Sequence, residues 1–122
     1  MGYREVSNNY LRNQVMGASP DKLIVMLYEA AIKSLKIAQV AIDQQQVSLA
    51  HQQLIKAQKI LNELKSDLNR EIESSLPSDL TKLYDYCYEQ LVQANLKKDR
   101  SLIDEPINIL SELLDAWKNL KV

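Results

Sequence analysis

One histidine, His51, and one cysteine, Cys87, are the side chains in this sequence best suited to metal binding or nucleophilic attack. A tetrahedral zinc site built on them would need two carboxylates as well, and no ligand-type spacing occurs. The Glu-x-x-His pair of bundle di-metal sites also fails, because Ser48 stands three residues before His51. A phosphate loop needs closely spaced glycines, and Gly2 and Gly17 cannot make one. The Asp and Glu residues are scattered, with no pair marked for acid–base work. The expectation is therefore no catalytic residue, no metal and no cofactor. His51 reads as a solvated residue on the outer face of a helix, and Cys87 as a buried packing thiol.

Binding is better served than catalysis. The run Tyr84-Asp85-Tyr86-Cys87-Tyr88 puts three tyrosines within five residues. On a helix they cannot all face one core. Tyr84 falls on the apolar stripe, whereas Tyr86 and Tyr88 point to other sides. They are either rim packing with wet phenol tips or a contact surface, since tyrosine offers large area at low entropy cost. Met16 and Met26 could line an adaptable groove or fill an irregular core. Trp117 is expected to anchor the core.

The elements that must position these residues are helices. The 122 residues suit one domain, and 46% hydrophobic against 25% charged is an ordinary globular balance. Two Gly and three Pro leave few tight turns, which argues against an all-β fold. A net charge of -1 provides no basic field for nucleic acid or anionic membrane. No run of 18 apolar residues exists to span a bilayer, no secretory leader opens the chain, and one Cys excludes an intrachain disulfide. The cytosol is the expected compartment.

Residues 1–18 are polar with isolated apolar residues, and read as a mobile or short-helical N-terminal arm. Residues 19–122 read as a helical bundle domain. Ser19-Pro20-Asp21 is a helix start, with a cap, a proline at the first turn and an acid at the positive end of the dipole. That helix is predicted to run to about Gln44. Between Leu23 and Ile42 its charged residues Glu29, Lys33 and Lys36 share one narrow face. Such a helix must be central or must leave a groove for a partner. The second helix, about 47–69, carries Val47, Ala50, Leu54, Ala57, Leu61, Leu64 and Leu68 at alternating steps of three and four. A third opens at Pro77 or Ser78, with Leu80, Tyr84, Cys87, Leu91 and Ala94 as its stripe. The fourth carries Ile103, Ile107, Leu110, Leu114, Trp117 and Leu120 after Asp99, a plausible cap. Pro106 lies beyond its first turn, and the reading favours a continuous helix kinked there. Short links make this an all-α, antiparallel four-helix bundle.

Four segments in order carry a family resemblance: YLRNQVMGASPDKLIVMLY from Tyr10 to Tyr28, KAQKILNEL from Lys56 to Leu64, LYDYCYEQLVQAN from Leu83 to Asn95, and DAWKNL from Asp115 to Leu120. Together they resemble the flagellar secretion chaperone family FliS, over about residues 10–120. The chain departs from the family pattern at Glu29-Ala30, at Glu73-Ser74-Ser75-Leu76-Pro77, at Pro106 and at Ser7.

The resemblance implies a cytosolic chaperone that binds the disordered C-terminal segment of flagellin, blocks its premature polymerisation and presents it to the export gate. It also implies an arm that covers part of the client groove, for which Tyr10, Leu11 and Val15 are the suitably spaced apolar residues. Tyr10 could instead contact the export gate once the client is loaded. Met26, Tyr86 and Tyr88 complete the candidate partner-binding set. Uncovered apolar surface would also favour a weak homodimer. The alternative, on composition and periodicity alone, is a generic helical interaction or dimerisation module with no flagellar role.

Overall fold

A computed structural model describes residues 20–71 and 78–120. They form four helices: α1 (Pro20–Asp43), α2 (Val47–Glu71), α3 (Ser78–Lys97) and α4 (Ser101–Leu120). No strand occurs among the described residues. Each helix packs against its two neighbours in a closed ring, α1 on α2, α2 on α3, α3 on α4 and α4 on α1. The cross-helix bonds fix their directions. Asp43 near the end of α1 meets Arg100 just before α4, and His51 near the start of α2 meets Asn95 near the end of α3. Neighbours therefore run antiparallel, as expected.

The predicted stripes form the core. Ala50, Leu54, Ala57, Leu61, Leu64 and Leu68 of α2 are all buried, as are Tyr84, Cys87, Leu91 and Ala94 of α3. Ile103, Leu110, Leu114 and Trp117 do the same from α4, with Leu80 and Ile107 packed at the margin. Val47 is the exception. It is the first residue of α2, beyond the packed length, and is 58% exposed.

α1 packs most extensively on α2. Gln39 and Asp43 mark the side of α1 that faces α4. The opposite side carries Ser34, Ala38 and Ala41, all buried. Small side chains there let two backbones approach closely, with Ala50 and Ala57 among the inward residues of α2.

Both described turns lie at one end of the bundle, and both use a non-glycine residue in the left-handed region. Gln45 has φ 59° and Lys98 φ 49°. At the first, the Gln46 amide reaches back to the Ala41 carbonyl at 2.8 Å and the Gln45 amide to Ile42 at 3.0 Å. At the second, the Asp99 amide bonds the Ala94 carbonyl at 3.2 Å. These are Schellman closures, in which the bonded carbonyls offset the strain of a side chain at positive φ.

Asp99 then caps α4. Its Oδ1 accepts from the Ser101 amide at 3.0 Å and from the Ser101 hydroxyl at 2.7 Å, and these bonds hold its carboxyl below the usual carboxylate range. α4 continues unbroken through Pro106, whose ring is fully buried. Burial of the ring offsets the backbone bond that proline cannot donate.

Across the bundle diagonal, the hydroxyls of Tyr28 and Tyr84 share a hydrogen bond. Both side chains are 2% exposed. Burial raises the pKa of each, so both stay neutral through the ordinary pH range. Replacing either tyrosine by Phe leaves the other hydroxyl buried without this partner and should cost about 1–3 kcal/mol. Urea unfolding should find the double Phe variant less destabilised than the sum of the two single variants.

Candidate functional site

The chemistry-bearing residues do not converge. His51 is exposed on α2, as expected, but it is not free in solvent: its Nδ1 lies 2.9 Å from the Asn95 amide nitrogen. Cys87 is buried in the core. Among the described residues no cluster of His, Cys, Asp and Glu could hold a metal ion. Burial, and next the negative charge of Glu105, push the Cys87 thiol up to about 11. A nucleophilic cysteine needs the opposite shift.

What the bundle leaves open is apolar surface. Trp117 joins the core, whereas Met26 does not. Met26 stands half-buried on the outer face of α1, with Leu23 three residues before it and Ile37 eleven after. None of these three packs against the core cluster. Val25, Leu27, Ile32 and Ile42 of the same helix do. α1 thus buries one broad face and still carries an apolar strip beside its charged ridge of Lys22, Glu29, Lys33 and Lys36.

The tyrosine run is split by α3. Tyr86 is 43% exposed, and its hydroxyl donates to the Glu105 carboxylate on α4, which raises the phenol's pKa. Tyr88 is half-buried and lines a cleft shared with Asn62 of α2. The two candidate residues therefore serve opposite sides of the helix. Leu83, one turn before Tyr86, is 38% exposed on the α4 side. On α4, on the same side as Glu105, Ile109 is half-buried. Leu83, Tyr86 and Ile109 put apolar area on the α3–α4 side of the bundle, a shallow groove between the two helices by helical spacing.

A third opening lies at the turn end. Ile42, Gln45, Val47, Ala50 and Lys98 line a cleft of about 300 Å³. Leu96, 75% exposed, lies in the last turn of α3 at the same end of the bundle. The reading from residue types missed Leu83, Leu96 and Val40, which is also exposed. The signal for Leu83 was present, since it sits beside the stripe of α3 and one turn from Tyr86. Tyr10, Leu11 and Val15 lie outside the described residues, as does Met16.

An apolar strip and a groove suit the binding of another chain, and comparison with known proteins gives the family. The family model described as Flagellar protein FliS matches residues 3–122. The chain belongs to the FliS family. A flagellar secretion chaperone FliS of Bacillus subtilis is 39% identical over 109 residues, covering 89% of this chain and 80% of the relative. One from Salmonella typhimurium is 37% identical over 119 residues, covering 97% and 86%. A flagellar secretion chaperone FliSB of Pseudomonas aeruginosa is 31% identical over 118 residues, covering 97% and 91%. The role of this FliS-family chain is that of a chaperone and not an enzyme. No described helix is long and apolar enough to cross a membrane.

The Cys87 environment predicts an alkaline weakness of the fold. The unfolded thiol ionises near 9, and the folded one holds its proton to about 11. Stability is then fully present below about pH 9 and declines as pH rises through that window, because the unfolded state sheds the proton first. Thermal unfolding of Cys87→Ala, followed against pH, should begin its decline later, where the unfolded tyrosines ionise.

Proposed function

We propose that this FliS-family chain is a cytosolic flagellar export chaperone whose uncovered apolar surfaces hold the disordered C-terminal segment of flagellin. The observation that carries this reading is the outer strip of α1, with the groove between α3 and α4 across the bundle from it. Leu23, Met26 and Ile37 give the spacing that an amphipathic helix needs for a partner. Leu83 and Tyr86 offer the same along the α3–α4 side. A disordered client spends much of its contact energy on becoming ordered, so a long, distributed surface suits it better than one deep pocket. Coverage of the client's sticky segment prevents premature polymerisation, and the loaded complex then meets the export gate.

Residues 1–18 act as a tethered cover in this scheme. Tyr10, Leu11 and Val15 compete for the apolar strip at an effective concentration on the order of millimolar. A client that binds much more tightly than that displaces them, and the released Tyr10 becomes available to the gate. Without client or cover, the same surface favours weak homodimers.

Co-expression tests the central claim. Full-length flagellin should co-purify with this chain, and flagellin lacking its C-terminal segment should not. Met26→Asp and Leu83→Asp should each weaken the complex about tenfold or more, with helical circular dichroism unchanged. Undiminished binding by both variants would relocate the client surface. Deleting residues 1–17 should keep the bundle folded while raising binding of an apolar dye and tightening the client complex.

A further inference from the structure

The seam between α2 and α3 is the least extensive of the four. At the turn end a chain of three side chains closes it. Lys98, the residue at positive φ just after α3, folds its ammonium back onto Asn95. There it donates to the backbone carbonyl at 2.6 Å and to Oδ1 at 2.7 Å. The Asn95 side-chain nitrogen in turn lies 2.9 Å from Nδ1 of His51 on α2. The backbone bond satisfies one of the last carbonyls of α3, where a cation also suits the helix dipole.

Donor and acceptor chemistry fixes every role along this chain. An ammonium only donates, so the Asn95 oxygen must face Lys98 and its NH2 must face His51. An amide nitrogen also only donates, so Nδ1 of His51 must accept. The bonded ring is therefore neutral, with its proton on Nε2. An imidazolium carries a proton on both nitrogens and cannot close the chain. Turning the Asn95 amide over does not help, because its NH2 would then oppose the ammonium. His51 is exposed, so water supplies the proton freely, and imidazole is the side chain that charges between about pH 8 and pH 5.

The surrounding charges do not offset this. On α2 no charged side chain stands within four residues of His51. On α3, Lys98 is the charge that meets the pair, Lys97 lies about 200° round the helix from Asn95, and Glu89 is about 9 Å further down it. The acids of the other elements at this end are engaged: Asp43 of α1 by Arg100, Asp104 of α4 by Gln39, and Asp99 by Ser101. We infer that His51, Asn95 and Lys98 form an acid-sensitive latch between α2 and the end of α3. The neutral ring closes it. The charged ring turns out to solvent, the Asn95 amide loses its anchor on α2, and the turn that carries Lys98 loosens. The same ammonium borders the turn-end cleft of Ile42, Gln45, Val47 and Ala50, so the latch also sets one wall of that opening. Leu91 and Ala94 stay in the core, which keeps the response local.

The test follows the full chain, labelled with ¹³C and ¹⁵N, by NMR from about pH 8 to about pH 5. The Asn95 side-chain amide signals should move with the same midpoint as the His51 ring. Hydrogen-exchange protection of the Leu96, Lys97 and Asp99 amides should fall about threefold across that midpoint, the loss of one exposed hydrogen bond, while Leu54, Leu61 and Leu91 hold theirs. His51→Ala should show the lowered protection at every pH. Lys98→Met should lose the acid response by the opposite route: with no ammonium to oppose it the amide can turn over, and Asn95 then accepts from the imidazolium. An Asn95 amide that ignores the ring's titration, an equal acid response in His51→Ala, or an undiminished one in Lys98→Met would each overturn the latch. No client enters any arm, so the result is independent of the co-expression test.

Discussion

A helix in a four-helix bundle hides only the part of its cylinder that faces the axis and its two neighbours. That geometric limit governs this molecule, because α1 has more apolar surface than the limit allows. Its inner face supplies Ile24, Tyr28, Ala31, Leu35 and Ala38 to the core, and its flanks supply Val25, Ile32 and Ile42. Leu23, Met26 and Ile37 are left over. No rotation of α1 removes the surplus; it only chooses which residues are surplus. Rotation is itself prevented. The diagonal bond from Tyr28 to Tyr84 holds the inner face. Gln39 holds the α4 side through the Arg100 carbonyl at 3.2 Å and Asp104 at 2.7 Å. The apolar strip is thus a consequence of how the rest is anchored.

Much of this was legible in the residues alone. Helix ends came within two residues wherever they are described, because Pro20, the glutamine turn and Asp99 punctuate the chain by local chemistry. The inward stripes of α2, α3 and α4 follow from spacing by three and four. Pro106 was legible as tolerated and not as buried. Its fate depends on the neighbours that cover its ring, which no local pattern encodes. Val47 shows the reverse error. Periodicity extends a stripe to the first helical residue, while packing stops where the partner helices end.

The binding surfaces were harder to see for a related reason. Helical periodicity assigns a residue to a side of a cylinder, and the identity of the neighbour on that side comes from the ring order of helices. Spacing turns Tyr86 and Tyr88 away from the stripe of α3 but does not name the helix that each one meets. Two residues turn an α-helix by roughly 200°, so one looks to α4 and the other to α2. Leu83 belongs with Tyr86 by the same arithmetic, and it escaped notice because a lone exposed leucine is common.

The split of α3 into two sides is also a split in chemistry. α3 carries exposed apolar residues on its α4 side and the exposed carboxylates of Asp85 and Glu89 toward α2. It is tied to its neighbours by few polar bonds: Tyr86 to Glu105, Asp85 to Lys65 and Asn95 to His51. A ligand in the Tyr86 groove meets a phenol already bonded to Glu105 of α4.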